Sequence, residues 1–167
     1  MQNPRATWFS ASGRWAAGGG LVLVAFGLLF RAHYRFVIVM GDSMVPTLEA
    51  GDVLMVDKRA YGRAEPVRGD IVVVRYSRGY VVKRIVGLPG EEVEVRRGEL
   101  YINGGLMKEN HPIGPGNLDV EKGNLLDGDF ATLGDNRGVP SILAIHPIAT
   151  KSEILGKVVL DLGKRIR

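Results

Sequence analysis

The chain has 167 residues, enough for one domain with an appendage, and it contains no cysteine. Disulfides, thiolate metal sites and cysteine nucleophiles are therefore excluded. Residues 1–41 hold four arginines and no acidic residue, so they carry the whole formal net charge of +4. A nucleic-acid-binding protein would carry its basic surplus on the folded body. We therefore expect no nucleic-acid partner, and a basic segment around an apolar run points to a membrane instead.

The N-terminal region is dominated by an apolar run. Sixteen residues from Trp15 to Phe30 contain no charge. As a helix this run would be about 24 Å long, slightly less than the roughly 30 Å hydrocarbon core of a bilayer. Snorkelling of the flanking arginines could close that gap. The pattern predicts a polar tail over residues 1–14 and a transmembrane signal anchor over residues 15–34.

A cleaved signal peptide and a buried core helix are the two alternatives to a membrane anchor. A cleaved signal peptide would have a similar charge and apolar run, but no good small-x-small cleavage site follows Phe30. A buried core helix would normally be amphipathic, whereas this run is apolar on all sides. The arginines on the two sides of the run nearly balance, so charge alone does not set the orientation.

Residues 35–167 predict a β-rich body. Short alternating or β-branched runs are separated by Gly, Pro, Asn and Asp, which is typical of antiparallel hairpins. Asn103-Gly104 predicts a type I′ turn, and residues 109–129 predict a long surface excursion. The fold class expected is mainly β, with antiparallel sheets in a barrel or sandwich. The predicted strands are Phe36–Met40, Val53–Val56, Asp70–Tyr76, Tyr80–Val86, Glu91–Arg96, Leu100–Ile102, Leu106–Met107, Phe130–Leu133 and Ile154–Leu160.

A tight turn follows the first predicted strand and presents a serine. Gly41 permits unusual backbone angles and Pro46 fixes its own φ, so Ser43 would lie on a rigid turn. Such serines are common in solvated turns that have no chemical role. A serine hydroxyl is also a poor nucleophile until a base removes its proton. The turn therefore indicates a catalytic site only if the chain also supplies a base.

Lys83 is a better candidate for that base than any of the three histidines. It lies within the strand Tyr80–Val86, among aliphatic residues on both faces, and burial lowers the pKa of a lysine. A neutral amine can then act as a general base toward a serine. The alternative is a lysine whose stem packs on the sheet while its ammonium reaches solvent. The three histidines are scattered and show no metal-ligand spacing.

Taken together, the motifs resemble the type I signal peptidase family, whose members use a serine and a lysine. The resemblance covers most of the chain. It rests on an N-terminal apolar segment followed in order by Gly41-Asp-Ser-Met-Val-Pro-Thr-Leu48, Arg68-Gly-Asp-Ile-Val-Val73, Lys83-Arg-Ile-Val-Gly-Leu-Pro-Gly90, Gly134-Asp-Asn-Arg137 and Gly156-Lys-Val158.

The resemblance implies a membrane-bound serine endopeptidase that removes signal peptides from exported preproteins. Ser43 would be the nucleophile, Lys83 the general base, and the Ser43 N–H an oxyanion donor. Substrates would carry small residues one and three positions before the cut. The catalytic body would lie on the outer face of the cytoplasmic membrane, held by a single span. The partners implied are secretory preproteins and the lipid bilayer, and neither a metal nor an organic cofactor is implied.

Further residues would support the site, and two motifs depart from the family. Where some members place a serine as a second oxyanion donor, this chain has Gly41, so that donor must come from elsewhere. In the last motif, Ser141 falls one place late, and the acid and arginine that often follow are absent. The residues expected to line or support the site are Gly41, Asp42, Met44, Pro46, Asp135, Arg137 and Ser141.

Other functions remain open. A related Ser–Lys peptidase could process one dedicated substrate, as conjugative-transfer peptidases do. A membrane-anchored β-domain could instead bind exported chains without cutting them. Self-cleaving repressors also use a Ser–Lys pair, but they carry a DNA-binding domain in place of an apolar N-terminal segment. A binding module has no need of a buried lysine facing a serine, so the Ser43–Lys83 pair separates these possibilities.

Overall fold

A computed structural model describes residues 12–77, 79–139 and 148–162, with side chains described from residue 23 onward. The chain forms two compact units, residues 1–33 and residues 34–167. Among the described residues of the first unit, helix α1 spans Ser12–His33, where the sequence is largely apolar and free of proline. Within the described ranges, no helix is long and apolar enough to cross a membrane.

The second unit consists of antiparallel β-sheets, as predicted. The larger sheet has seven strands in the order β1-β2-β11-β3-β4-β9-β10, and the smaller has four in the order β7-β6-β5-β8. The larger sheet does not close into a barrel, because β1 and β10 form its two edges. The strands are β1 Tyr34–Ile38, β2 Val53–Asp57, β3 Ile71–Tyr76, β4 Gly79–Gly87, β5 Glu92–Arg96, β6 Glu99–Ile102, β7 Gly105–Leu106, β8 Val120–Asn124, β9 Asp129–Leu133, β10 Ile148–Thr150 and β11 Ile154–Asp161.

Local turn signals predicted the hairpins well, but long-range pairing was missed. Asn103 and Gly104 have φ of 52° and 78°, so the predicted type I′ geometry is confirmed. The predicted surface excursion over residues 109–129 was partly wrong, because β8 lies within it and pairs with β5. Val120 is the one apolar residue of β8, so this strand has no sequence pattern of its own and forms by pairing with its neighbour.

Three clusters of buried side chains hold this unit together. One fills the space beside the smaller sheet and one lies along β3, β4 and β9. The third, smaller cluster consists of Val39, Met44, Leu48 and Leu54. It lies beneath the turn between β1 and β2, so the apolar residues of the Ser43 motif connect that turn to the sheet.

Candidate functional site

The Ser43 turn is anchored by its own apolar residues. Met44 and Leu48 are 1% and 2% exposed and pack against Val39 and Leu54. Burying a side chain of this size stabilises a fold by roughly 1.5–3 kcal/mol, enough to fix a short turn. The Val45–Pro46 peptide bond is cis. Ser43 itself stays partly accessible on the surface of this anchored turn.

Lys83 lies in the middle of β4 and is 4% exposed. Across the sheet, Arg84 pairs with Leu133 of β9. Because the two strands are antiparallel, the residue before Arg84 lies level with the residue after Leu133. Lys83 is therefore directed to the point where Gly134 leaves β9.

Ser43 and Lys83 meet at Gly134. A Cβ atom built on Gly134 would lie 3.4 Å from Lys83 Nζ and 3.2 Å from the Ser43 carbonyl carbon, and would overlap the Ser43 carbonyl oxygen. Both residues therefore adjoin one point on the backbone, although 40 positions of sequence separate them. The structure thus brings together the two residues that the sequence singled out, one from a turn and one from a central strand.

The surroundings of Lys83 favour its neutral form. Desolvation by burial lowers the pKa of the Lys83 amine below its ordinary value, and the negative charge of Asp135 partly opposes this effect. A buried amine with a lowered pKa can accept a proton near neutral pH. The electrostatics of the site are therefore those that a lysine base requires.

A buried ion pair joins β4 to the segment after β9. Arg84 Nε–H donates to Asp135 Oδ1 at 2.9 Å, and Arg84 Nη2–H donates to Asp135 Oδ2 at 2.6 Å. The Thr47 hydroxyl also donates to Asp135 Oδ2. Asp135 therefore connects the Ser43 turn to the strand that carries Lys83.

A second set of charges lies next to this pair. Arg137, 1% exposed, donates from Nε to the Gly134 carbonyl at 3.1 Å and from Nη2 to Glu109 Oε1 at 2.7 Å. His111 Nε2 lies 3.3 Å from Glu109 Oε1 and 3.4 Å from Asp135 Oδ1. Burial, reinforced by the Arg84 charge, lowers the pKa of His111. These contacts hold the loop that supports Gly134.

Asn136 contacts the Ser43 turn directly. Its backbone N–H donates to the Ser43 carbonyl at 3.1 Å, and its side-chain amide donates to the Asp42 carbonyl at 2.9 Å. Sequence reasoning did not single out Asn136 or Thr47, although both lie inside the motifs that carried the resemblance. Their positions in those motifs were the available signal, but their partners are distant in sequence.

An open groove lies beside Ser43. It has a volume of about 200 Å³ and a mostly aliphatic lining that also contains Ser43 and Tyr80. Exposed Gly41 and buried Met44 belong to this lining, whereas Pro46 is exposed on the turn. Larger cavities of about 360, 500 and 460 Å³ contain neither Ser43 nor Lys83 in their linings, and the first of them is lined in part by Arg84, Glu109 and His111. The lining of the groove is Val37–Gly41, Ser43, Met44 and Tyr80–Val82.

One further prediction concerns a residue outside this geometry. Ser141, expected to line or support the site, lies outside the described residues. Within the described part of the chain, no group of three or more His, Cys, Asp or Glu side chains could hold a metal ion.

Substituting Gly134 with alanine tests the close approach at the site. The new methyl group would overlap the Ser43 carbonyl oxygen, a backbone atom that can move only with the whole turn. We expect a stability loss of about 1–3 kcal/mol. If Ser43 is the nucleophile that the family resemblance implies, kcat/KM should also fall roughly 100-fold, because displacing a reacting group by about 1 Å has that effect.

The matched control is Gly123→Ala in β8, where a Cβ atom would meet nothing within 4 Å. Thermal melting and peptide cleavage by both variants are the measurements. Equal behaviour of the two variants would show that the backbone contact between Ser43 and Gly134 does not constrain the site.

Comparison with known proteins adds three findings. A family model described as "Signal peptidase, peptidase S26" matches residues 12–141. A probable signal peptidase I-2 of Synechocystis is 35% identical over 70% of this chain and 56% of its own length. A signal peptidase I of Bacillus amyloliquefaciens is 37% identical over 74% of this chain and 71% of its own.

A further relative and a solved structure are also signal peptidases by name. A second Synechocystis protein, a probable signal peptidase I-1, is 35% identical over 81% of this chain and 74% of its own. A solved signal peptidase I from Enterococcus faecalis has a TM-score of 0.44 and 26% identity, covering 56% of this chain and 97% of its own. The chain therefore spans between about half and three quarters of the length of these curated relatives.

Proposed function

Because the chain belongs to the signal peptidase family, peptidase S26, we propose that it is a Ser–Lys endopeptidase that removes signal peptides from exported preproteins. Family membership makes it a peptidase, and therefore a hydrolase, as the sequence predicted. The proposal of a Ser–Lys pair rests on one observation: Ser43 and the buried Lys83 amine both lie next to Gly134.

The proposed reaction assigns a role to each of these two residues. Lys83 Nζ removes the proton of Ser43 Oγ as that oxygen attacks the scissile carbonyl carbon. The carbonyl oxygen becomes an oxyanion, which the Ser43 N–H stabilises, a contribution of roughly 3–4 kcal/mol per donor in well-studied hydrolases. The C–N bond then breaks, Lys83 gives its proton to the leaving amine, and an ester of Ser43 remains.

Deacylation reuses the same groups. Lys83, again neutral, removes a proton from a water molecule that attacks the ester carbonyl. The second tetrahedral intermediate collapses, Ser43 Oγ recovers the proton from Lys83, and the signal peptide leaves with a new carboxylate. No metal or organic cofactor takes part in either half of this cycle.

The groove supports a preference for small residues before the cut. Its mostly aliphatic lining and its modest volume of about 200 Å³ suit small apolar side chains. An extended peptide places alternate side chains on one side, so residues one and three positions before the cut would face this lining together.

We further propose that residues 15–34 anchor the protein in the cytoplasmic membrane, with the β-rich unit on the outer face. The support is the uncharged run from Trp15 to Phe30 and its flanking arginines. In membranes from expressing cells, the full chain should resist alkaline carbonate extraction. Protease added from the outer side should degrade the β-rich unit. If the β-rich unit is protected from this protease, the orientation is the opposite one.

The pH dependence of cleavage tests the role of Lys83. The active form is the neutral amine, and burial lowers the pKa of Lys83 below its ordinary value. We expect kcat/KM to rise with a slope of one in log units as pH rises through that lowered pKa, and then to level off below pH 10.5, the ordinary value. Measuring kcat/KM from pH 5 to 10 checks this; a rise that begins only near the ordinary lysine pKa would contradict it.

The proposed specificity is tested with the full chain in detergent and one secretory preprotein. Cutting should occur after a small-x-small site, with the new N-terminus identified by mass spectrometry. A preprotein with Phe in place of Ala directly before the cut is the matched control and should lose at least about 10-fold in kcat/KM. Equal cutting of both substrates, or cutting elsewhere, would contradict the proposal.

A further inference from the structure

The side chain of Asn136 joins two segments at the site. Its amide Nδ2–H donates to the Asp42 carbonyl at 2.9 Å, while its Oδ1 accepts the Gly138 N–H at 2.9 Å. Its backbone N–H donates to the Ser43 carbonyl at 3.1 Å. Asn136 thus contacts the two consecutive carbonyl groups on either side of the Ser43 Cα.

The contact with Asp42 bears on catalysis through the peptide plane. The Asp42 carbonyl and the Ser43 N–H belong to one planar trans unit and point in opposite directions. Fixing the carbonyl therefore fixes the direction of the N–H, and a hydrogen bond to the oxygen also polarises the N–H. The proposed oxyanion donor is this same N–H.

The two residues before Ser43, unlike Met44 after it, give this peptide no buried anchor. Gly41 and Asp42 are exposed, and a Cβ atom built on Gly41 would meet nothing within 4 Å. The other hydrogen bond to the Asp42 carbonyl comes from the Val45 N–H at 3.1 Å, within the same turn. Asn136 supplies the connection from this peptide to the rest of the sheet.

We propose that Asn136 is a positioning residue that orients the Asp42–Ser43 peptide so that the Ser43 N–H points to the developing oxyanion. This inference rests on the proposed function, in which Ser43 is the nucleophile. Asn136 does not touch the reacting atoms; it acts through the carbonyl of Asp42.

A merely structural role is the competing explanation, and Thr47 provides the comparison. The Thr47 hydroxyl also holds the turn, by donating to Asp135 and accepting from Arg84 Nη2–H at 3.5 Å, rather than through the Asp42 carbonyl. Thr47→Val removes these two hydrogen bonds while keeping the shape of the side chain. If Asn136 only holds the turn in place, substitutions at the two positions should change the kinetics in the same way.

The experiment uses the full chain and a peptide aldehyde with Ala one and three positions before the carbonyl. The aldehyde adds to Ser43 and places a tetrahedral oxygen where the oxyanion would be. The non-covalent product peptide with the same residues measures ground-state binding. The variants are Asn136→Leu, which is nearly isosteric, and Asn136→Asp, which keeps an acceptor for the Gly138 N–H.

For both Asn136 variants, we expect kcat to fall roughly 10- to 100-fold, less than the loss of an oxyanion donor itself, with KM nearly unchanged. Affinity for the aldehyde should fall by the same factor as kcat/KM, while affinity for the product peptide should not change. In Thr47→Val, both affinities should change together. If Asn136→Leu does not fold, the kinetics and affinities of Asn136→Asp test whether Asn136 positions the Asp42–Ser43 peptide.

Two kinds of failure can be told apart. If the wild type does not cut, or if Ser43→Ala still cuts, the proposed function is wrong. If the wild type cuts and Ser43→Ala does not, then Asn136 variants with wild-type kcat and aldehyde affinity overturn this inference alone. Parallel losses of aldehyde and product affinity in these variants would also overturn it, because they would indicate a general displacement of the turn.

Discussion

Replacing Lys83 with methionine is expected to abolish cleavage and to leave the fold intact. Without a base, Ser43 keeps its proton, and removal of one member of a catalytic pair typically lowers kcat/KM by at least about 1,000-fold. Methionine fills nearly the same volume among the aliphatic side chains of the sheet, so no cavity forms. Cleavage of a peptide substrate and thermal melting are the two measurements.

The free energy of unfolding should not fall in Lys83→Met, because the lowered pKa of Lys83 makes its charged form unfavourable in the folded chain. The pKa of Lys83 is lower in the folded than in the unfolded chain, so the unfolded chain binds more protons. The wild type should therefore gain stability as pH rises from the lowered pKa of the folded state toward 10.5, the ordinary value. Lys83→Met should lose this dependence and be at least as stable as the wild type at neutral pH.

Lys83→Arg is the matched variant, since arginine retains a charge at this position but does not release its proton. It should be as inactive as Lys83→Met and less stable, because a fixed charge would be buried. Cleavage by either variant within about 10-fold of the wild type would place the base elsewhere.

Replacing Asp135 with asparagine is expected to produce the largest loss of stability. The carboxylate is 1% exposed and accepts two hydrogen bonds from the Arg84 guanidinium, which is 8% exposed. Removing one member of a buried ion pair leaves the other charge uncompensated and typically lowers the free energy of unfolding by about 3–5 kcal/mol. For a unit of this size, the melting temperature should fall by roughly 10 °C or more.

Two comparisons make this prediction specific. The double variant Arg84→Met/Asp135→Leu removes both charges and should recover a large part of the lost stability. Lys151→Ala removes one member of an exposed pair with Glu65 and should change the free energy of unfolding by less than about 1 kcal/mol. If Asp135→Asn destabilises the fold no more than Lys151→Ala, the buried pair does not hold the site together.

Asp135→Asn should also shift the pH dependence of any remaining activity. The charge of Asp135 raises the pKa of Lys83 against the effect of burial. Its removal should lower that pKa further, so the rise in kcat/KM should occur at a lower pH than in the wild type.

The sequence predicted what depends on local patterns. Alternating apolar residues marked most strands, and Asn103-Gly104 marked a turn whose backbone angles the structure confirms. The family resemblance also identified Ser43 and Lys83 as a pair to examine. Each of these inferences uses residues that are close together in the chain or motifs that keep a fixed order.

The supporting contacts could not be predicted in this way. Thr47 and Asp135 are 88 residues apart, and Arg137 and Glu109 are 28 residues apart, yet each pair shares a hydrogen bond. Strand β8 was missed for a related reason, since its residues form a strand by pairing with β5 rather than by their own pattern. Such contacts depend on how the two sheets fold together, which no local pattern encodes.

The central claim is that Ser43 is the nucleophile of a signal peptide-removing enzyme. The most direct test compares the wild type with Ser43→Ala, in liposomes, on one secretory preprotein. We predict that the wild type releases the mature protein, and that Ser43→Ala releases none while melting at the same temperature. Release of the same mature protein by Ser43→Ala at a comparable rate would contradict the account.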